Sequence, residues 1–399
     1  MEEEIKIGNW EERLERGMKK LEEDPLVSER NRELILRYLR DARLGKTLFG
    51  RAKKKIGPAR LLTNTIHLTT FLHFVQKDFV SITQHDMEAF IEALELGKIR
   101  SRRKTALRRG VMIVRDHPLS PCYQVDLKVT LRKFYKWFLG NGRTYPEIVE
   151  WIDTSLSPKE VSALTRAEVQ RMIDRAQRIC HRAMIQVLFD GGFRLSEFLN
   201  IRLRHVVLRS FDPQNPSRKC FFLRVPYSKT SPRTVSLPME ESTKWLQLWL
   251  EDHPARPELT EDGTIHADDT STQLFPVTPA SVSYVLRRFG KEAIKKRVYP
   301  HLMRHASATF WCNKLPYFKF CKRFGWTMTS KMPQRYIDRE GIDEVEVAQI
   351  YHNEIEAKLN REKERLAAQV IELESRHGYD GYSWPARVMR GTRASRGSM

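Results

Sequence analysis

Six residues between positions 194 and 336 carry side chains suited to chemistry on an anion. Arg194 lies in FDGGFRLSEFLNIRL, just after two glycines that allow a close backbone approach. The short helix that follows turns Leu195, Phe198 and Leu199 inward and leaves Arg194 and Glu197 together at i,i+3. Lys229 falls at the tip of a hairpin, where a long, flexible ammonium can reach a ligand. His301 and Arg304 share one helix face in YPHLMRHASATF, and Trp326 and Tyr336 follow in FGWTMTSKMPQRYIDRE. Together they are cationic and imidazole groups around one tyrosine.

Other chemistries are poorly supported. Gly45-Lys46-Thr47 looks like the end of a phosphate loop, but the position that needs the first glycine holds Arg40. His301 and His305 have the spacing of a zinc helix, yet Leu302 stands where the catalytic Glu belongs. Arg304 between them would repel a divalent cation. No acidic trio marks a two-metal nuclease, although scattered Asp and Glu leave that class open. We therefore expect no metal and no cofactor.

These residues must be positioned by a mixed second domain beginning near residue 160. Thr165 reads as a helix N-cap, with Glu168 three residues on completing a capping box. Helical patterns run over Arg166–Asp190, Arg194–Ile201, Glu240–Leu250, Pro279–Lys296, Leu302–Asn313 and Pro316–Gly325. Lys219–Tyr227 and Arg233–Leu237 are short β-like runs flanking SKTSP, a hairpin by composition. Residues 252–272 look like a surface loop. Asp343–Arg376 reads as one long helix with Leu359, Leu366 and Leu373 seven apart, a stripe for its own domain or for another protomer.

The first ~150 residues read as all-helical, with apolar steps of three and four over Arg30–Leu44, Leu62–Gln76, Gln84–Leu96 and Gln124–Leu139. No long strand-like alternation precedes residue 200. The expected organisation is a helical domain over 1–152, a mixed domain over 160–376 and a basic flexible tail over 377–399. The fold class is mainly α with a small β-hairpin or sheet.

Charge points to the partner. Among 399 residues, 70 Lys and Arg face 50 Asp and Glu, a formal net charge of +20. Residues 51–60 carry five basic groups and residues 98–110 carry seven, with no acid in either run. Such runs neutralise several phosphates each and release their counterions. Arg51, Lys53, Lys54, Lys55, Arg60, Arg100, Arg102, Arg103, Lys104, Arg108 and Arg109 are the candidate DNA-backbone contacts. No stretch approaches a membrane span, the acidic start is unlike a signal, and the five cysteines form no CxxC pair. The expected location is cytoplasmic, on the nucleoid.

GGFRLSEFLNIRL, SKTSPRTVSLP, HLMRHASATF and GWTMTSKMPQRYI resemble, in order, the four motifs of the tyrosine recombinase (phage-type integrase) family. The resemblance spans about 160–340 and is closest to integrases of archaeal mobile elements, from viruses or plasmids. The preceding helical domain is similar to the family's core-binding domain in size, position and basic character, not by any motif.

The resemblance implies the following roles. Arg194 and Arg304 grip the non-bridging oxygens of the scissile phosphate, where planar forks suit the anion. Lys229 protonates the departing 5′ oxygen, and His301 assists proton transfer. Trp326 takes the His/Trp position, one residue further from the tyrosine than is usual. Tyr336 is the nucleophile, with Tyr351 a weaker competitor. Glu197 and His305 support Arg194 and the motif helix. A double-stranded recombination site, a tetramer on DNA and accessory DNA-bending proteins are the implied partners. A tyrosine-type topoisomerase, or a DNA-binding protein that no longer cuts, would share much of this pattern.

Overall fold

The computed structural model describes residues 8–47, 55–106, 112–140, 142–155, 164–228, 232–340, 356, 359–370 and 372. The chain divides into two compact units, Met1–Ser162 and Ala163–Met399.

In the first unit, α1 (Trp10–Glu22) packs on α3 (Pro58–Val75), and α2 (Glu29–Leu44) covers α3. Ser28 caps α2 from its hydroxyl, and Gly45 closes that helix in the left-handed conformation. α4 (Gln84–Glu95) starts at a Thr83–Asp86 capping box, and α5 (Pro121–Phe138) starts behind Ser120. α6 (Glu147–Glu150) is a single turn. Tyr38, Phe71, Phe79, Phe90, Leu131 and Phe134 form the core between them. Apolar residues at helical spacing account for each of these long helices.

One segment differs from the sequence expectation. Arg100–Ala106 (β1) and Met112–Pro118 (β2) pair antiparallel, with Arg100 opposite Pro118 and Ala106 opposite Met112. Polar and charged residues at nearly every position of β1 remove the apolar alternation that marks a strand. Among the described residues no further strand pairs with this two-stranded sheet.

The second unit is built around α8 (Ile179–Gly191), which packs against α7 (Arg166–Arg175), α10 (Glu240–Glu251), α12 (Pro300–Cys312) and the sheet. Every residue from Ala183 to Gly191 is buried, as expected of a helix with neighbours on all sides. The expected capping box at Thr165 and Glu168 is present at the start of α7. The single helix expected over 166–190 breaks at Ala176, whose carbonyl accepts from Arg182 Nε at 2.6 Å. α9 (Leu195–Leu199) follows, and then β3 (Val206–Ser210), β4 (Lys219–Val225) and β5 (Arg233–Leu237) form a three-stranded antiparallel sheet in that order. β3 is an addition to the expected hairpin.

The expected loop over 252–272 contains a minimal hairpin, β6 (Glu258–Leu259) with β7 (Ile265–His266). α11 (Pro279–Ile294), α12, α13 (Tyr317–Phe324) and α14 (Lys331–Glu340) complete the unit. Of the long helix expected over 343–376, residues 359–370 are helical, with Leu359 and Leu366 exposed; Leu373 and the tail over 377–399 lie outside the described residues.

Candidate active site

Gly192 ends α8 with φ +59°, the left-handed turn that glycine adopts without strain. A Cβ there would lie 2.3 Å from the Phe324 ring and 2.7 Å from Ser307 Oγ. The turn delivers Arg194 to the N-cap position of α9. Glu197, three residues on, returns its carboxylate to that residue. Arg194 N–H donates to Oε2 at 2.9 Å and Arg194 Nη1 donates to Oε1 at 2.6 Å.

Glu197 is 1% exposed and serves more than Arg194. Arg233, on β5, donates from Nη1 to Oε1 at 3.1 Å and from Nη2 to Oε2 at 2.9 Å. Ser228 Oγ donates to Oε1 at 2.9 Å, and Arg304 Nη1 lies 3.7 Å from Oε2. Burial alone would push the Glu197 pKa up. The Arg233 hydrogen bonds and charge, the Arg194 N–H and the Arg304 charge outweigh it and hold the pKa at about 2. The carboxylate is thus ionised throughout the neutral range.

Arg304, on α12, is buried with its planar fork on backbone carbonyls. Nη1 donates to Gly192 O at 2.7 Å and Nη2 to Phe324 O at 2.5 Å. Both acceptors stand at helix C-termini, of α8 and α13, where carbonyls lack helical partners and the dipole is negative. The Phe324 and Trp326 rings, stacked on each other at 4.9 Å, both lie 5.3 Å from the guanidinium. Burial, followed by the Arg194 charge, lowers its pKa to about 9, so Arg304 remains a cation at neutral pH.

Tyr336, on α14, is 5% exposed and packs with Ala308, Cys312, Phe320 and Phe324. Trp326 stacks on its ring at 5.5 Å and 21°. The Tyr336 hydroxyl and His305 Nδ1 share a hydrogen bond. The resemblance implies that Glu197 and His305 support Arg194 and the motif helix, and in the structure the His305 ring also reaches the phenol. The His301 ring lies 4.4 Å from that of His305. Burial, Arg304 and Arg194 each push the His301 pKa below the ordinary histidine value, which favours a neutral imidazole. Tyr336 is close enough to Arg304 for their charges to interact.

The second unit therefore gathers Glu197, Arg194, Arg304, His301, His305, Trp326 and Tyr336 at one locality. Lys229 and Tyr351 lie outside the described residues. Arg233, Arg323 and Asp190 are site elements that motif reading passes over. Asp190 is fully buried and accepts from Ser242 Oγ at 2.6 Å, Met239 N at 3.1 Å and Arg323 Nη2 at 3.1 Å. Burial raises its pKa to about 6 against the pull of Arg323. A usable signal exists for Arg233: it falls in phase with Val235 and Leu237 on the buried face of β5.

The basic runs belong to the first unit. Lys55 is exposed. Arg60 Nη1 donates to both Asp126 oxygens, at 2.6 and 2.7 Å, and Arg100 Nε donates to Asp116 Oδ1 at 2.8 Å. The runs contain no acid, but the fold brings carboxylates to these two residues from α5 and β2. Arg102, Arg103 and Lys104 occupy β1. Arg51, Lys53, Lys54, Arg108 and Arg109 lie outside the described residues. No cluster of three or more His, Cys, Asp or Glu that could hold a metal occurs among the described residues.

The phage integrase family model matches residues 162–340, the stretch that holds every residue of this site. The second unit is thus a domain of the phage integrase family, that of the tyrosine recombinases.

Tyrosine recombinase XerD of Xanthomonas axonopodis pv. citri is 28% identical over 208 residues, 49% of this chain and 64% of that protein. A tyrosine recombinase of Thermosipho africanus is 27% identical over 247 residues, 60% of this chain and 74% of that protein. The chain thus spans about two thirds of the length of such relatives. A lambda integrase dimer bound to a COC′ core site is similar in fold, with a TM-score of 0.51 at 15% identity, covering 85% of this chain and 83% of that one. XerH site-specific recombinase, in a post-cleavage complex with a palindromic difH substrate, gives 0.50 at 14% identity, covering 86% of this chain and 95% of that one.

Proposed function

We propose that this tyrosine recombinase is a site-specific DNA recombinase that breaks and rejoins strands through a covalent link to Tyr336. The observation that carries this reading is the clustering of Arg194 and Arg304 on Glu197 with Tyr336, whose ring stacks on the Trp326 ring beside Arg304 and whose hydroxyl bonds His305, next to His301. A phenol has a pKa of about 10 and needs help to attack at neutral pH. Guanidiniums on the scissile phosphate favour the phenolate and the charge that develops on the five-coordinate phosphorus.

In the forward step the Tyr336 oxygen bonds to phosphorus and the bond to the 5′ oxygen breaks. The products are a 3′-phosphotyrosyl link and a strand that ends in a 5′ hydroxyl. The phenolic proton has an acceptor at hand in His305, and Lys229 supplies the proton that the departing oxygen needs. Glu197 fixes Arg194, and Trp326 holds the Tyr336 ring. The new link retains the energy of a phosphodiester, so the 5′ hydroxyl of another strand reverses the step. Exchange between two duplexes needs four such sites, hence a tetramer on double-stranded DNA, with accessory DNA-bending proteins compatible with that assembly. A mobile-element integrase is the version of this function that the basic, insertion-rich sequence supports. The basic runs of the first unit hold the flanking backbone.

The test uses the full chain and suicide substrates in EDTA, with adducts resolved on denaturing gels. The wild type should form a covalent DNA adduct and Tyr336→Phe should form none while still binding DNA. An adduct with Tyr336→Phe refutes the nucleophile. Relaxation of arbitrary plasmids without strand exchange would instead identify a topoisomerase.

A further inference from the structure

Every hydrogen-bonding edge of Arg233 is committed within the protein. Its side chain is 4% exposed. Two nitrogens hold the two oxygens of Glu197, Nη1 also reaches Ser228 Oγ at 3.2 Å, and Nε donates to Arg323 O at 2.9 Å. The next carbonyl along, Phe324 O, accepts from Arg304. Adjacent carbonyls at the end of α13 therefore seat Arg233 and Arg304 side by side, with Glu197 in reach of both. Ser228 and Arg233 lie five residues apart in sequence, and both side chains donate to the carboxylate that holds Arg194.

We propose that Arg233 is a positioning residue for phosphate activation: it occupies Glu197 so that Arg194 and Arg304 are aimed at the DNA phosphate. The claim rests on the recombinase reading above. The physical reason is competition. An ionised, buried carboxylate without Arg233 would draw on the guanidiniums that remain, and Arg304 would leave the carbonyls of Gly192 and Phe324 to reach it. With both oxygens engaged by Arg233, Glu197 takes Nη1 of the Arg194 fork, and among the described residues 26% of the Arg194 side chain is exposed, open to a ligand. A lysine cannot substitute, because its three N–H donors sit on one nitrogen and cannot span both Glu197 oxygens and the Arg323 carbonyl as the guanidinium does.

The experiment measures single-turnover cleavage by the full-length wild type, Arg233→Lys and Ser228→Ala. Each enzyme is given a suicide duplex with an ordinary scissile phosphate and the same duplex with a methylphosphonate there. A methyl in place of one non-bridging oxygen removes the charge that the arginines offset, so arginine placement matters less. Displacements near 1 Å at a reacting centre cost on the order of 100-fold. We expect Arg233→Lys to cleave the phosphodiester about 100-fold more slowly, with DNA affinity within about 2-fold of wild type. Its deficit should shrink about 10-fold on the methylphosphonate.

Ser228→Ala buries no unpaired charge. It should show the same substrate dependence on a deficit of a few fold, and it carries the test should Arg233→Lys fail to fold. Equal deficits on the two substrates, or cleavage at the wild-type rate, overturn the proposal. If the wild type itself forms no Tyr336-dependent adduct, the recombinase reading falls and takes this one with it. If that adduct forms and both variants cleave normally, only the positioning role is lost.

Discussion

Glu197→Gln preserves side-chain volume and removes one negative charge from among three guanidiniums. The cost follows from the depressed acidity of the carboxylate. The step from its ordinary 4.5 to about 2 is worth about 3 kcal/mol, at about 1.4 kcal/mol for each pKa unit. Removing one partner of a buried ion pair costs about 3–5 kcal/mol in general, which agrees in size. Because the native pKa lies below the unfolded one, this stability is fully present above pH 4.5 and is lost as pH falls toward 2. The two proteins should therefore differ by about 3 kcal/mol at pH 7, with the gap closing only in acid. Urea unfolding followed by tryptophan fluorescence measures it. With a slope of about 3 kcal/mol per molar urea, the midpoint should fall by about 1 M. A variant midpoint within about 0.2 M of wild type at pH 7 would show that Glu197 does not carry this charge balance, and the account of Arg194, Arg233 and Arg304 would go with it.

Gly192→Ala should lower stability by about 2–5 kcal/mol, from left-handed backbone strain and overpacking against Phe324 and Ser307; thermal unfolding reads it, and cleavage should slow because Gly192 O is an Arg304 acceptor. His67 is fully buried against Thr130, and its pKa is lowered to about 4 by burial, with Asp126 opposing and Arg60 assisting. Between pH 6.5 and 4 the unfolded chain takes a proton that the native one does not, so stability should fall by about 3 kcal/mol as pH drops. His67→Gln should flatten that part of the denaturation profile. DNA affinity should fall by about 10³–10⁵ between 50 and 200 mM salt if about 6–10 phosphates are held, with single-turnover cleavage of pre-bound DNA changed less. Lys55→Gln should make the salt slope shallower by about one if Lys55 meets a phosphate, and an unchanged slope would remove it from the interface.

The architecture was legible wherever periodicity and capping agreed. Thr165 with Glu168, the apolar stripes of α2 to α5 and the pair β4 and β5 all stand close to where side-chain spacing puts them. Local spacing carries no information about partners far along the chain. Nothing near Arg60 announces Asp126, 66 residues away, and nothing near Arg233 announces the carbonyl of Arg323, 90 residues away. β1 escaped for a different reason: its charged side chains erase the alternation by which strands are recognised. The supporting part of His305 follows from the resemblance, and nothing in its own helix announces Tyr336, which arrives on α14.

Arg304 is held by the main-chain oxygens of Gly192 and Phe324. Its socket is therefore made of atoms that every amino acid carries. Substitution at position 324 would change the flanking ring but would not delete the acceptor, and no exchange of side chains elsewhere can recreate the socket if either helix ends one residue early. A shift in the termination of α8 or α13 would displace Arg304 while leaving every residue of the site in place. Such a fault would be invisible to any comparison of site residues and visible only in where two helices stop. Insertions or deletions near residues 190–192 and 323–325 should accordingly be tolerated less than most substitutions there, a constraint on length rather than on composition.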